Sequence, residues 1–141
     1  MSMSDINTIA VDRAIGEIRR GRPILLESLD GEHALAMAAE QASLDSLRDL
    51  CAWGPIPDAA VHDGSEYGTG AVLALTESRA AALHIKPTGH GIVLLPIDKN
   101  TDVGLVQTLS DGSMDLAQPL RGPFHRARRA PHDVEAAAVQ L

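Results

Sequence analysis

Aromatic side chains are almost absent: Trp53, Tyr67 and Phe124 are the whole set in 141 residues. Leu, Ile, Val and Ala must fill the core, and the scarcity argues against the exposed stacking platforms that grip nucleic acid. Cysteine is scarcer still. Cys51 stands alone, which excludes an internal disulfide and any cysteine-rich zinc site within the chain. Positive charge is in deficit. Twelve Lys and Arg stand against 19 Asp and Glu, a net charge of −7 that disfavours phosphate backbones and anionic membranes. No apolar run approaches the roughly 20 residues of a membrane span, and no basic segment leading into an apolar core marks a secretory leader. These absences predict a cytoplasmic domain that binds neither nucleic acid nor membrane. At 141 residues and 45% hydrophobic, the chain is long enough to bury one core.

What is present centres on residues 24–40, where two apolar runs flank a short acidic turn. Asp30-Gly31 suits a two-residue hairpin turn, because Gly tolerates positive φ and Asp does so better than most residues. The turn gathers Glu27, Asp30 and Glu32, with His33 beside them. Carboxylates so grouped suit a hard divalent cation; a solvated hairpin tip has the same composition.

Around this stretch the pattern predicts a single α/β domain, a mixed β-sheet flanked by helices. Residues 1–7 read as a disordered start, and 8–141 as the domain. Thr8 caps a helix over 9–20 with Val11, Ala14, Ile15 and Ile18 on one face, and Gly21 stops it. Strands follow at 24–27 and 33–39. Ser43 caps a helix over 44–53, with Leu44, Leu47, Leu50 and Cys51 at helical spacing, so Cys51 reads as an inert core residue. The breakers Gly54, Pro55, Pro57, Gly64, Gly68 and Gly70 predict a long loop. A strand over 71–75 leads through Thr76, at a cap position, into a short helix over 77–83. The most apolar strand is 91–97, with Pro96 at its end, and 103–109 reads as another strand. Residues 119–131 are irregular and basic. His132 or Asp133 opens a last helix over 134–141, whose apolar face Val134, Ala137, Ala138 and Leu141 runs to the end with no capping Gly, which predicts a continuation into a longer protein.

Several stretches, in order, resemble one family. Residues 11–26, from Val11-Asp12-Arg13-Ala14-Ile15 to Arg22-Pro23-Ile24-Leu25-Leu26, look like the start of 3,4-dihydroxy-2-butanone 4-phosphate synthase, an enzyme of riboflavin biosynthesis. Leu75-Thr76-Glu77-Ser78-Arg79-Ala80-Ala81-Ala82-Leu83 resembles its Leu-Thr-x-x-Arg-Ala-x-x-Leu segment. Ile97-Asp98 and Thr101-Asp102-Val103-Gly104 are similar to its next strand and turn, and Glu135 to Leu141 to the start of its late helix. The family carries Arg-Glu-x-Glu-Gly-Asp before an Ala-Ala-Glu. Its Arg contacts substrate phosphate, and its carboxylates bind Mg²⁺ or move protons. Counting back from Ala38-Ala39-Glu40, Leu29 stands at the Arg position, Asp30 at the first Glu and Glu32 at the second; His33 replaces the Gly and Ala34 the Asp. Leu29 lacks the charge-assisted bonds a guanidinium makes to phosphate. The family's metal-ligating Gly-His-Thr-Glu is here Pro131-His132-Asp133-Val134-Glu135, with His and Glu three apart rather than two.

In many bacteria this synthase-like domain is fused ahead of GTP cyclohydrolase II, and in some of those proteins its active site is degenerate. The resemblance therefore implies a non-catalytic N-terminal domain of such a fusion, supporting assembly as a homodimer or contacting the catalytic half. Asp30, Glu32 and His132 would be the remnants of the catalytic set, and Glu27, Asp30 and Glu32 the candidates for Mg²⁺, needed only where that set still works. Zinc would belong to the three cysteines of the cyclohydrolase half, which this chain does not contain. A divergent Mg²⁺-dependent lyase acting on ribulose 5-phosphate, and a regulatory domain binding a phosphorylated or flavin-like metabolite, are the alternatives.

The remaining motifs carry less. His33, His62, His84, His90, His125 and His132 show no H-x-x-x-H spacing. His125 with Arg121, Arg126, Arg128, Arg129 and His132 suits a phosphate, an acidic partner or a solvated linker. Gly68-Thr69-Gly70 precedes a strand and lacks the Lys of a phosphate loop.

Overall fold

Ser2 and Gly21 bracket the first helix, α1 (Met3–Arg19). In the computed structural model, which describes residues 2–53, 71–97, 100–117, 122, 124–127 and 131–141, the helix starts ahead of the cap expected at Thr8. Ser2 Oγ accepts from the Asp5 N–H, and Asp5 Oδ2 accepts from the Ser2 N–H at 2.9 Å. This capping box satisfies two donors that the helix end leaves over. Thr8 instead donates its hydroxyl to the Ser4 carbonyl inside the helix. At the other end Gly21 takes φ +72°. Its N–H donates to Ile18 O, and the Arg22 N–H donates to Glu17 O, the paired bonds of a Schellman motif. No residue of α1 is buried.

β1 (Ile24–Glu27) and β2 (His33–Ala36) pair antiparallel, with Ile24 opposite Ala36 and Glu27 opposite His33. The connection is not a two-residue turn. Gly31 N–H donates to Ser28 O at 3.0 Å, and Ser28 N–H donates to Glu32 O at 2.8 Å. The loop is thus Leu29-Asp30-Gly31, with Gly31 at φ +84°. That is a turn followed by a left-handed residue, the common three-residue hairpin. The strand expected to run to Ala39 ends at Ala36, and Ala39 opens a 3₁₀ turn (Ala39–Gln41). Ser43 Oγ accepts from the Ser46 N–H and caps α2 (Leu44–Trp53).

β3 (Val72–Thr76) and β4 (Ile92–Pro96) form a second antiparallel pair, joined through α3 (Glu77–Ala82). Thr76 Oγ1 accepts from the Arg79 N–H, as its cap position predicts. The segment expected as a strand over 103–109 is instead α4 (Val103–Ser110). Asp102 Oδ1 accepts from the Gly104 N–H at 2.7 Å and from Leu105 N–H, so a helix cap precedes the apolar run. Val106 and Leu109, three apart, are the buried pair. A 3₁₀ turn (Gly112–Met114) follows, and α5 (Asp133–Val139) closes the described chain, with His132 at its N-cap.

The expected mixed sheet is therefore absent from the described residues, which hold two separate two-stranded antiparallel sheets. With 103–110 helical, no third strand reaches β3 or β4 from that part of the chain. Leu73, Leu75, Val93 and Leu95 project from one face of β3 and β4 and pack with Leu47, Ala80, Leu83, Ile85, Val106 and Leu109. Val134 of α5 is also buried, and α5 lies against β3, β2 and β1, bridging the two sheets. No described helix is long and apolar enough to cross a membrane.

Candidate functional site

The hairpin sets β1–β2 against the first turn of α5, and that packing decides which of the expected site residues meet. Glu32 Oε1 lies 3.2 Å from His132 Nδ1. Across the hairpin, Glu27 Oε1 lies 3.5 Å from His33 Nε2, which follows from their facing positions in the register. The His132 backbone N–H donates to Glu135 Oε1 at 2.8 Å, so Glu135 is turned toward the helix end. Asp30 sits exposed in the loop and joins neither pair, and Leu29 beside it is fully exposed.

The structure thus joins two of the three residues expected as remnants of a catalytic set, Glu32 and His132, and leaves Asp30 apart. Among the described residues no three His, Cys, Asp or Glu side chains converge as a metal site. Mg²⁺ takes near-octahedral oxygen ligation, through carboxylates, water and substrate phosphate. Glu27, Asp30 and Glu32 do not supply it: two of them are paired with histidines and the third stands off.

Glu32 and His132 are among the residues lining an apolar cleft of about 800 Å³. Residues 32–40 line one wall and residues 71–76 the other, with Val134, Ala138, Val139 and Leu141 across the end. Sequence reasoning did not find this cleft. Its one visible trace is the run of small side chains, Ala34, Ala36, Ala38 and Ala39 facing Ala71 and Ala74.

Arg79, quoted above only as part of a motif, has a defined role. Its side chain is 13% exposed and reaches four acceptors. Nε donates to Leu109 O at 2.7 Å, Nη2 to Thr108 O and Asp115 Oδ1 at 3.0 Å each, and Nη1 to Asp115 Oδ2. The guanidinium therefore holds the C-terminal carbonyls of α4 and makes a bidentate pair with Asp115. That pairing holds the Asp115 carboxyl below its usual range and raises Arg79. With its donors so engaged, Arg79 braces the fold.

The other singled-out residues are placed as follows. His84 adopts φ +59° just beyond α3, its N–H donating to Ala81 O and the Ile85 N–H to Ala80 O. It ends a helix in the position usually held by Gly. Arg126 Nη1 donates to Lys86 O and Pro87 O, and the Ala127 N–H to Leu94 O at 2.7 Å. This part of the basic segment is strapped along β4. His125 is exposed beside it, and Cys51 is half-buried against the core. His62, Tyr67, Arg121, Arg128, Arg129 and the Gly68-Thr69-Gly70 motif lie outside the described residues.

A small α/β domain with a histidine–carboxylate pair among the residues lining an apolar cleft is what the fold and its site define. Its full length is similar to a protein of Azospirillum brasilense named GTP cyclohydrolase-2, with 27% identity over 141 residues. The similarity takes in all of this chain and 33% of that protein, so the chain spans about a third of the length of the curated relative it matches. No family model and no solved structure matches it.

Proposed function

We propose that this chain is an accessory, non-catalytic domain of a larger cytoplasmic protein of riboflavin biosynthesis that hydrolyses GTP elsewhere in its length. The observation that carries the reading is the unbroken similarity of all 141 residues to one third of a protein named GTP cyclohydrolase-2. The local chemistry agrees with it. Leu29 stands where the synthase family needs a phosphate-binding Arg, Ala34 where it needs an Asp, and Arg79 is occupied in bracing α4. The domain serves assembly, as a homodimer or as a support for the catalytic part, which brings its own zinc.

The test compares the full-length polypeptide with a version lacking residues 1–141. Full-length protein is expected to hydrolyse GTP and to run as a dimer by light scattering, residues 1–141 to show no GTP hydrolysis, and the deletion to weaken assembly or activity. Unchanged assembly and activity on deletion overturn the accessory role, and no GTP hydrolysis by the full-length protein overturns the family assignment.

One observation favours a second reading. Glu32 and His132, both remnants of the synthase set, meet at 3.2 Å across the fold. A divergent lyase acting on ribulose 5-phosphate would use them as an acid–base pair. Incubation of the chain with ribulose 5-phosphate and Mg²⁺ decides this: formate and butanone phosphate establish the lyase, and their absence removes it.

A further inference from the structure

We propose that the cleft between β2 and β3 is a slot for one further β-strand, supplied by the remainder of the same polypeptide, which joins the two sheets into one. The inference rests on the reading of the chain as a domain of a longer cyclohydrolase-like protein.

Each of the two sheets holds two strands, so β2 and β3 each have one edge without a strand partner among the described residues. Both edges border the same cleft. The lining shows that strand edges, not sheet faces, form its walls: residues 32–40 and 71–76 take part without a gap. A sheet face would contribute every second residue, because side chains alternate across a strand.

An open edge presents a row of N–H and C=O groups, and natural edges are blunted with Lys, Pro, bulges or covering elements. Apart from α5, which lies against β2 and β3, these edges carry no such device. Ala34, Leu35 and Ala36 of β2 and Val72, Leu73, Ala74 and Leu75 of β3 are small or aliphatic, with no Lys and no Pro. A strand laid between them would bond to backbone on both sides, the way added strands gain affinity from main-chain bonds. The same volume lies within the range of small-ligand pockets. Such pockets set convergent polar groups free to meet the ligand, however, whereas here Arg79 is engaged with Asp115, His33 with Glu27, His132 with Glu32 and Glu135 with the His132 N–H.

The occupant comes from the same polypeptide for two reasons. The relative that the chain resembles is about three times as long, so a protein of that kind has chain to spare. Val139 and Leu141 themselves line the cleft, so in a polypeptide of that length a segment following α5 would start beside the slot.

Amide hydrogen exchange on the 141-residue chain and on the full-length polypeptide tests the slot. In the shorter chain the slot-facing amides within residues 33–36 and 72–76 exchange fast, while the amides bonded to β1 and β4 exchange slowly. In the full-length protein the slot-facing amides slow by at least about a hundredfold. Equal rates in the two proteins overturn the proposal. So does protection in the short chain that grows with its own concentration, which assigns the slot to a second copy, or that appears on adding ribulose 5-phosphate or riboflavin, which assigns it to a ligand. GTP hydrolysis is measured on the same full-length sample. Its loss with protection present removes the functional reading alone, and its presence without protection removes the slot alone.

Discussion

Glu32 Oε1 and His132 Nδ1 meet at 3.2 Å, a hairpin residue and a helix cap brought together from opposite ends of the chain. Both side chains remain nearly half exposed, at 47% and 43%. Exposed ion pairs contribute about 0–1 kcal/mol, because solvent screens them. A double-mutant cycle on Glu32→Ala and His132→Ala, read by urea unfolding near pH 6, is expected to give a coupling of about 0.5 kcal/mol. Coupling above about 2 kcal/mol would show that the pair is part of the structural frame and not a surface contact.

Arg79 is a different case. Arg79→Ala removes four hydrogen bonds and leaves Thr108 O, Leu109 O and the Asp115 carboxylate to find water. The expected loss is about 1.5–3 kcal/mol, the range for hydrogen bonds made by a charged group, since the Asp115 side chain is 32% exposed and can be rehydrated. Arg79→Lys recovers little of it, since an ammonium lacks the planar fork that reaches two carbonyls and a carboxylate together. Denaturant midpoints of the two variants check the order, and a fully restored midpoint in the Lys variant is the contrary result.

The same pair sets a pH dependence. Hydrogen bonding to Arg79 lowers the Asp115 carboxyl below its ordinary 3.8 in the folded protein. A group depressed on folding stabilises the fold above its unfolded value, and the stabilisation is lost as pH falls through the folded value. Stability from Asp115 is thus complete at neutral pH and declines below about pH 4. Asp5 and Glu17 shift in the same direction, Asp5 through its bonds to Ser2 and Glu17 through Arg22, and add to the slope. Thermal melts from pH 7 to pH 2.5 should show a shallower acid decline for Asp115→Asn than for the wild type; identical declines would exclude the carboxylate as a contributor.

Gly21 and His84 occupy equivalent places after α1 and α3, and opposite outcomes are expected on changing them. Gly21→Ala puts a Cβ 3.0 Å from Gln41 Cβ at φ +72° and should cost about 1–2 kcal/mol. His84→Gly relieves an L-residue at φ +59° and should add about 1 kcal/mol. Chemical unfolding of both variants tests the contrast. A destabilised His84→Gly would mean that the imidazole has a task beyond ending the helix.

Much of the local structure was legible in the residues themselves. Thr76, Ser43 and Gly21 end or begin helices because their side chains, or the lack of one, satisfy backbone groups within a few residues. The apolar strands 72–76 and 92–96 were legible for the same local reason, since buried runs of that length suit strands. Where two local signals compete, a helix cap outweighs a short apolar run. Val103–Ser110 has a strand-like apolar run, but Asp102 caps it and Val106 and Leu109 share a helical face.

The sequence by itself determined which segments are helices and strands in most of the described chain, and that aliphatic residues fill an aromatic-poor core. Only the tertiary structure decided that the strands stay in two sheets, that Glu32 meets His132 while Asp30 does not, and that Arg79 is spent on α4 and Asp115. Caps and periodicity act over a few residues and leave a mark in composition. Sheet pairing and side-chain meetings depend on how distant segments share one core, and no local stretch of residues encodes that.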